Sequence, residues 1–177
     1  MNMSEAEKKA KGPLEILTSP LRADEIEWKV QASKNGKTLV APYIDSRAVM
    51  NRFDAAFGPF GWQTALREVQ GGGGWLVGIG VRDGAGEWVW KWDGSGPSEI
   101  EPVKGGISGA MKRAATQWGV GRELYNYPKV YITGEHRFVP FEVLKRLQGL
   151  PVAIAQGRRL PEVIVLGPDG LDVGKAA

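Results

Sequence analysis

Lys112 and Arg113 stand side by side in a stretch that is otherwise small, polar-neutral or apolar, KGGISGAMKRAATQW over residues 104–118. Two adjacent cationic tips on such a segment suit one kind of chemistry, the neutralisation of an anion such as a phosphate, which needs little more than cations in a groove. A second group is aromatic. Trp88, Trp90 and Trp92 alternate with Val89 and Lys91, so in a strand all three indoles share one face. Such a face either fills a core or subunit contact or offers a platform on which nucleobases stack. From the sequence alone, core and subunit contact is the favoured use.

Nucleophilic, metal and nucleotide chemistry find few residues. There is no Cys, and His136 is the one His. A thiolate nucleophile, a disulfide framework, a Cys-based metal centre and a multi-His site are thereby excluded. Asp83 and Asp93 flank turns, where Asp serves the backbone. A metal-dependent nuclease would need several convergent carboxylates, whereas the most basic region carries only Glu123. The four glycines at 71–74 are not followed by the Gly-Lys-Ser/Thr of a phosphate loop. Gly119-Val120-Gly121 follows a helical pattern rather than a strand, so it fails the dinucleotide fingerprint. No catalytic residue, metal or cofactor is expected.

The charge distribution sharpens the first clue. The chain of 177 residues has 23 Lys and Arg against 20 Asp and Glu, a net charge of only +3. Residues 103–134 alone hold Lys104, Lys112, Arg113, Arg122 and Lys129 against Glu123, a local net of +4. A concentrated excess acts as an anion site, while a diffuse one serves solubility. The length fits one domain with a small appendage. No apolar run approaches the ~20 residues that span a bilayer, and residues 1–11 are too polar for a secretory signal. A cytoplasmic protein without membrane attachment is the expectation.

The elements that must position these residues follow from periodicity and turn chemistry. Residues 4–17 read as a first helix weakened at Gly12-Pro13. Residues 26–32 and 38–42 read as strands joined at Asn35-Gly36, a strong hairpin signal. Asp45 or Ser46 caps a helix to about Phe57, with Val49, Phe53, Ala56 and Phe57 at helical spacing, and Gly58-Pro59 ends it. Three strands follow at 62–69, 75–81 and 87–93. In the middle one Trp75, Val77, Ile79 and Val81 share a face, while Gly78 and Gly80 open the other to a close-approaching backbone or ligand. Residues 103–118 read as a helix with Ile107, Met111, Ala114 and Trp118 as its apolar stripe. Ser108, Lys112 and Thr116 lie on one flank and Arg113 on the other. Residues 141–147 read as a short helix. Beyond Leu150 the chain reads as a tail with a hairpin at 167–170. The pattern is α+β: an antiparallel sheet, made of a hairpin plus a three-stranded meander, with helices packed on one face.

The run KGGISGAMKRAATQWGVGRELY, residues 104–125, resembles the signature of the Rad-fifty-two-type single-strand annealing proteins, whose bacterial branch includes the DdrA proteins. Its marks are Lys112-Arg113-Ala114-Ala115, Trp118-Gly119, and Gly121-Arg122 with Leu124-Tyr125. Two further blocks agree in order and spacing: Tyr43-Ile44-Asp45-Ser46-Arg47 with Arg52-Phe53-Asp54, and Phe57-Gly58 with Gly61-Trp62. The resemblance spans about residues 26–130. It implies an antiparallel sheet with a packed helix, assembly into rings, and single-stranded DNA in a basic outer groove. It implies DNA contact by Lys112 and Arg113, with Tyr43 near the groove and Lys104 two helical turns earlier. Eukaryotic members carry Arg where this chain has Thr116 and about Ala32; Lys29 and Lys34 are the cations near the latter.

Together these readings give an expectation. Residues 1–134 form an oligomerising, single-strand annealing domain and residues 135–177 a C-terminal extension. The chain is a ring-forming homo-oligomer, not an enzyme, and associates with the nucleoid. It binds single-stranded DNA through Lys112, Arg113, Lys104, Tyr43, Arg47 and Arg122, and anneals complementary strands or protects 3′ ends in double-strand break repair without ATP. The rival readings are a structural ring whose basic helix is an assembly interface, a DNA-processing nuclease, and an OB-type binder. The helix at 46–57 and the basic terminal helix fit the last poorly.

Overall fold

Asn35 and Gly36 both take left-handed backbone angles, φ 55° and 71°, which a two-residue type I′ hairpin turn requires. Either side of them β1 (Ile26–Lys34) and β2 (Lys37–Ile44) pair antiparallel, with a bulge between Val30 and Ala32. The computed structural model describes residues 11–98 and 101–173. The remaining elements are α1 (Pro13–Thr18), α2 (Ser46–Phe57), β3 (Trp62–Val69), β4 (Gly74–Arg82), β5 (Trp88–Ser95), α3 (Pro102–Gln117), β6 (Lys129–Thr133), α4 (Phe141–Leu147), α5 (Gly149–Ala155) and β7 (Val163–Leu166). Of the expected first helix, residues 4–10 lie outside the described residues. Its described part is α1, with Pro13 in the first turn, where a missing N–H costs nothing.

The chain divides into two compact units, Met1–Ser19 with Met50–Val120, and Pro20–Val49 with Gly121–Ala177. The fold is α+β as expected, but the hairpin and the meander belong to separate sheets. The meander β3-β4-β5 is one; β1-β2-β6-β7 is the other.

In the first unit the pleat gives the meander two unlike faces. Trp75, Val77, Ile79 and Val81 lie on one, opposite Ser95, Asp93, Lys91 and Val89 of β5. α3 covers this face, and its buried residues are Gly106, Ala110, Ala114 and Ala115. This corrects the expected stripe: Ile107, Met111 and Trp118 are only half-buried. The reason is steric. A Cβ on Gly106 would come within 2.7 Å of the Trp75 ring, and one on Gly109 within 2.7 Å of Ser95 Oγ. The helix lies so near the sheet that only small residues fit beneath it, and the longer side chains move to its flanks. Phe53 of α2 is fully buried and packs on Trp62 and, edge-on, on Trp118. Arg52, nearly buried, donates through Nη1 to the carbonyls of Ile16 (3.2 Å) and Ser19 (2.6 Å). It thus satisfies carbonyls left over at the end of α1.

On the opposite face Gly78 pairs with Trp92 and Gly80 with Trp90. The space that the sequence assigned to another backbone or a ligand is filled by the chain's own indoles. A Cβ on Gly78 would sit 2.5–2.8 Å from three atoms of the Trp92 ring, and one on Gly80 2.9–3.0 Å from three atoms of Trp90.

The second unit buries Ile26, Trp28, Val40, Ile44, Val130 and Ile132 on one face of its sheet. β6 pairs antiparallel with β2 but parallel with β7, so this sheet is mixed rather than wholly antiparallel. The segment expected as a tail therefore supplies α5 and an edge strand. β7 reads Val-Ile-Val-Leu, and a parallel strand with no polar alternation leaves no periodicity to read. The hairpin at 167–170 is present: Gly167 N donates to the Leu171 carbonyl at 2.8 Å, and Leu166 bridges to Asp172.

The Gly–Trp contacts generate a stability prediction. Gly78→Ala should lower unfolding stability by about 1–3 kcal/mol, because the added methyl must displace an indole. Gly84→Ala, where a Cβ meets nothing within 4 Å, should change it by less than about 0.5 kcal/mol. Urea unfolding of the two variants checks the contrast.

Candidate nucleic-acid interface

α3 carries three of the six residues assigned to DNA. Lys104 and Lys112 are eight residues apart, about 12 Å along a helix axis at 1.5 Å per residue. Lys104 is mostly exposed, its Nζ 3.0 Å from Glu101 Oε2 one turn back. Lys112 is half-buried on the flank that also bears Ser108 and Thr116. Arg113 projects from the other side, and its Nε donates to Asp93 Oδ1 of β5 at 3.0 Å. Burial alone would raise the Asp93 pKa. The Gly94 amide, 2.7 Å from Oδ1, and the Arg113 guanidinium outweigh it and hold the carboxyl below its usual range.

The C-terminal end of α3 is stitched to the sheet. Lys91 Nζ donates to the Gln117 carbonyl at 2.8 Å and lies 4.4 Å from the Trp118 ring centroid. Gln117 Nε2 donates to the Trp92 carbonyl (2.6 Å) and Trp118 Nε1 to that of Ile79 (3.2 Å). A cation at a helix C-terminus is favourable both for the terminal carbonyl and for the dipole. Lys91 escaped assignment from the sequence. The signal was its strand alternation, which places it on the α3 side of β5. Thr116 donates its hydroxyl to the Arg113 carbonyl at 2.7 Å.

The other three assigned residues belong to the second unit. Tyr43 stands on the open face of the β1-β2 hairpin, opposite Glu27. Lys29 Nζ is 5.9 Å from its ring centroid and 2.6 Å from Glu27 Oε2. Of the two cations near Ala32, Lys29 is thus the one beside Tyr43. Arg47 is exposed at the start of α2, its backbone N and its Nε both donating to Asp45, at 3.0 and 2.9 Å. Asp45 accordingly closes the turn that begins the helix. Arg122 is exposed and opens a 3-10 turn, Arg122–Asn126, after Gly121 at φ 66°. Tyr125 in that turn is strongly exposed; the sequence offered it only as part of the family signature. Glu123, the one acid of the basic segment, accepts from Leu21 N at 2.6 Å. Burial, and then the Glu123 carboxylate, push the Tyr127 phenol well above its usual value.

The structure thus brings Lys104, Lys112 and Arg113 together on one helix, and Lys29 with Tyr43 on one hairpin face. Among the described residues no group of three or more His, Asp or Glu is placed to hold a metal ion. No helix there is long and apolar enough to cross a membrane.

Comparison with known proteins gives the arrangement a lineage. Residues 11–136 match the family described as Rad52/22 family double-strand break repair protein. The single-stranded DNA-binding protein DdrA of Deinococcus radiodurans is 31% identical over 137 residues, 73% of this chain and 59% of that protein. Its namesake in Deinococcus deserti is 30% identical over 140 residues, 75% of this chain and 62% of that protein. The match therefore spans about three-fifths of the relatives' own length. The family match at 11–136 takes in the hairpin, the meander and the whole of α3, and on that ground the chain belongs to the Rad52/22 family.

Proposed function

We propose that this protein binds single-stranded DNA and anneals complementary strands, or protects 3′ ends, during double-strand break repair. It acts without ATP or catalytic chemistry, as a ring of identical subunits. Residues 1–134 form the annealing domain and residues 135–177 an extension to it. The observation that carries the reading is α3. Its small-residue face is pressed onto the sheet, while Lys104, Lys112 and Arg113 stand on its other sides, and family membership falls on this segment. Phosphates would be neutralised by Lys112 and Arg113 on α3; Lys104 on the same helix, and Arg47 and Arg122 in the second unit, would add to DNA binding or to subunit contacts, and Tyr43 is that unit's aromatic candidate. Bases left unread remain free to pair with a second strand.

Three outcomes follow. Lys112→Ala with Arg113→Ala should reduce affinity for an oligonucleotide at least tenfold, with the far-UV circular dichroism unchanged; unaltered affinity would sink the assignment. A double variant that dissociates the oligomer in light scattering would instead make α3 an assembly surface. The wild-type affinity should fall steeply with salt, by about 0.7 in log–log slope for each phosphate neutralised.

Asp93 supplies the third. It would compete with DNA for Arg113, and an ion pair with one exposed partner, as here, is worth about 1 kcal/mol. Asp93→Asn should therefore tighten binding, by up to about fivefold, when measured by fluorescence anisotropy.

A further inference from the structure

The meander has a second face that α3 does not cover. By register it bears Arg67 on β3, Arg82 on β4, and Trp88, Trp90 and Trp92 on β5. The two charged residues of this face within the three strands are both arginines. All three indoles are partly exposed, and both arginines are exposed.

The indoles form a continuous surface. Trp88 and Trp90 have ring centroids 6.1 Å apart and planes 36° apart, and Trp90 and Trp92 are stacked at 5.7 Å and 28°. Three fused-ring atoms of Trp92 are nearly equidistant from the Cβ position of Gly78, as are three of Trp90 from that of Gly80. Both rings therefore lie face-down on the β4 backbone, which turns their other faces outward. The Arg67 guanidinium is 4.4 Å from the Trp92 ring centroid and that of Arg82 4.9 Å from Trp88. Trp90 sits between these two cation-bearing rings.

We propose that this face is a second contact surface for single-stranded DNA, with bases stacking on the indoles around Trp90 and backbone phosphates meeting Arg67 and Arg82. The inference rests on the DNA-binding reading above and extends it from α3 to the opposite side of the sheet. Complementarity selects the occupant. A single strand brings a flat apolar ring and an anion with every nucleotide, and sequence-neutral binders pair aromatic platforms with cations for that reason. A second copy of the chain would have to bring carboxylates to both guanidiniums and an apolar patch to the indoles at once.

The test uses the full chain, a thirty-nucleotide oligothymidine and three variants. Trp90→Leu keeps an apolar cover over Gly80 but removes the π surface. Arg67→Gln with Arg82→Gln touches two exposed side chains and leaves the indoles in place. Lys112→Ala with Arg113→Ala reports on α3. Trp90→Leu should weaken binding about tenfold, the loss of one base stack, and should diminish the quenching of Trp fluorescence by DNA. The arginine pair should flatten the log–log salt slope by about 1.4, two phosphates at 0.7 each. If both retain wild-type affinity and slope while the α3 variant loses binding, DNA lies on α3 alone and this inference is overturned, with the functional reading intact. Failure of the wild type to bind the oligonucleotide at low salt removes both. A changed oligomer size in either variant assigns the face to contact between copies and overturns the inference. If Trp90→Leu does not fold, the arginine pair decides the matter.

Discussion

The approach of α3 to the meander is the constraint on which the first unit depends. Glycine or alanine occupies the positions where the helix meets β4 and β5, because a Cβ at Gly106 or Gly109 would collide with Trp75 or Ser95. Small residues forgo apolar area, so the helix itself adds little side-chain burial and the sheet's Val77, Ile79 and Val81 supply it. It gains from close packing of backbone on side chain, and from anchors around the helix's C-terminal end. Lys91, Gln117 and Trp118 each bind a main-chain carbonyl across the helix–sheet contact. The gain for function is positional. A helix held this closely presents Lys112 and Arg113 from a fixed base.

β4 serves two purposes at once because a strand has two faces. One carries Val77, Ile79 and Val81, all buried beneath α3. The other carries glycines, and these let Trp90 and Trp92 lie flat across the strand instead of standing up from it. Glycine in a strand is weak on its own account. Here the indoles of the neighbouring strand restore the missing contact area. The seven Trp thus divide by role. Trp28 is buried in the second unit and Trp75 lies beneath α3. Trp62 and Trp118 flank Phe53. The remaining three form a surface of their own.

Much of this was legible from residue type and spacing. Asn35-Gly36 marked the hairpin, alternation marked β3 to β5, and Phe141 to Leu147 marked α4. What escaped notice did so for physical reasons. A stripe of glycine and alanine carries almost no hydrophobic signal, so the larger residues Ile107, Met111 and Trp118 were read as the buried side of α3. Glycines 78 and 80 announced a close approach but not by what. β7 lacks the alternation that identifies a half-exposed strand, and its partner β6 is thirty-odd residues away in sequence. The six candidate contacts came from charge clustering and resemblance. Neither could show that Arg113 and Lys104 already hold carboxylates, or that Lys29 is the cation beside Tyr43, since such pairs form between residues that only folding or a helical turn brings within reach.

These pairings sort the cations by what it would take to move them. Lys91 binds a helix-terminal carbonyl and lies over an indole at 4.4 Å. Withdrawing it would leave the end of α3 with one fewer partner, so it belongs to the scaffold. Lys104 holds the exposed Glu101 carboxylate and Arg113, itself exposed, the half-buried Asp93 carboxylate, each at 3.0 Å. Such pairs are worth no more than about 1 kcal/mol and weaken in salt. A polyanion presents charge at a density no lone carboxylate matches, and binding it releases condensed counterions. On the proposed DNA-binding reading, exchange of Glu101 and Asp93 for phosphates would therefore be favourable without disturbing the fold. On that reading, the residues that lower the resting charge of α3 would make its occupancy depend on charge density, a property of a nucleic acid strand and not of a single anion.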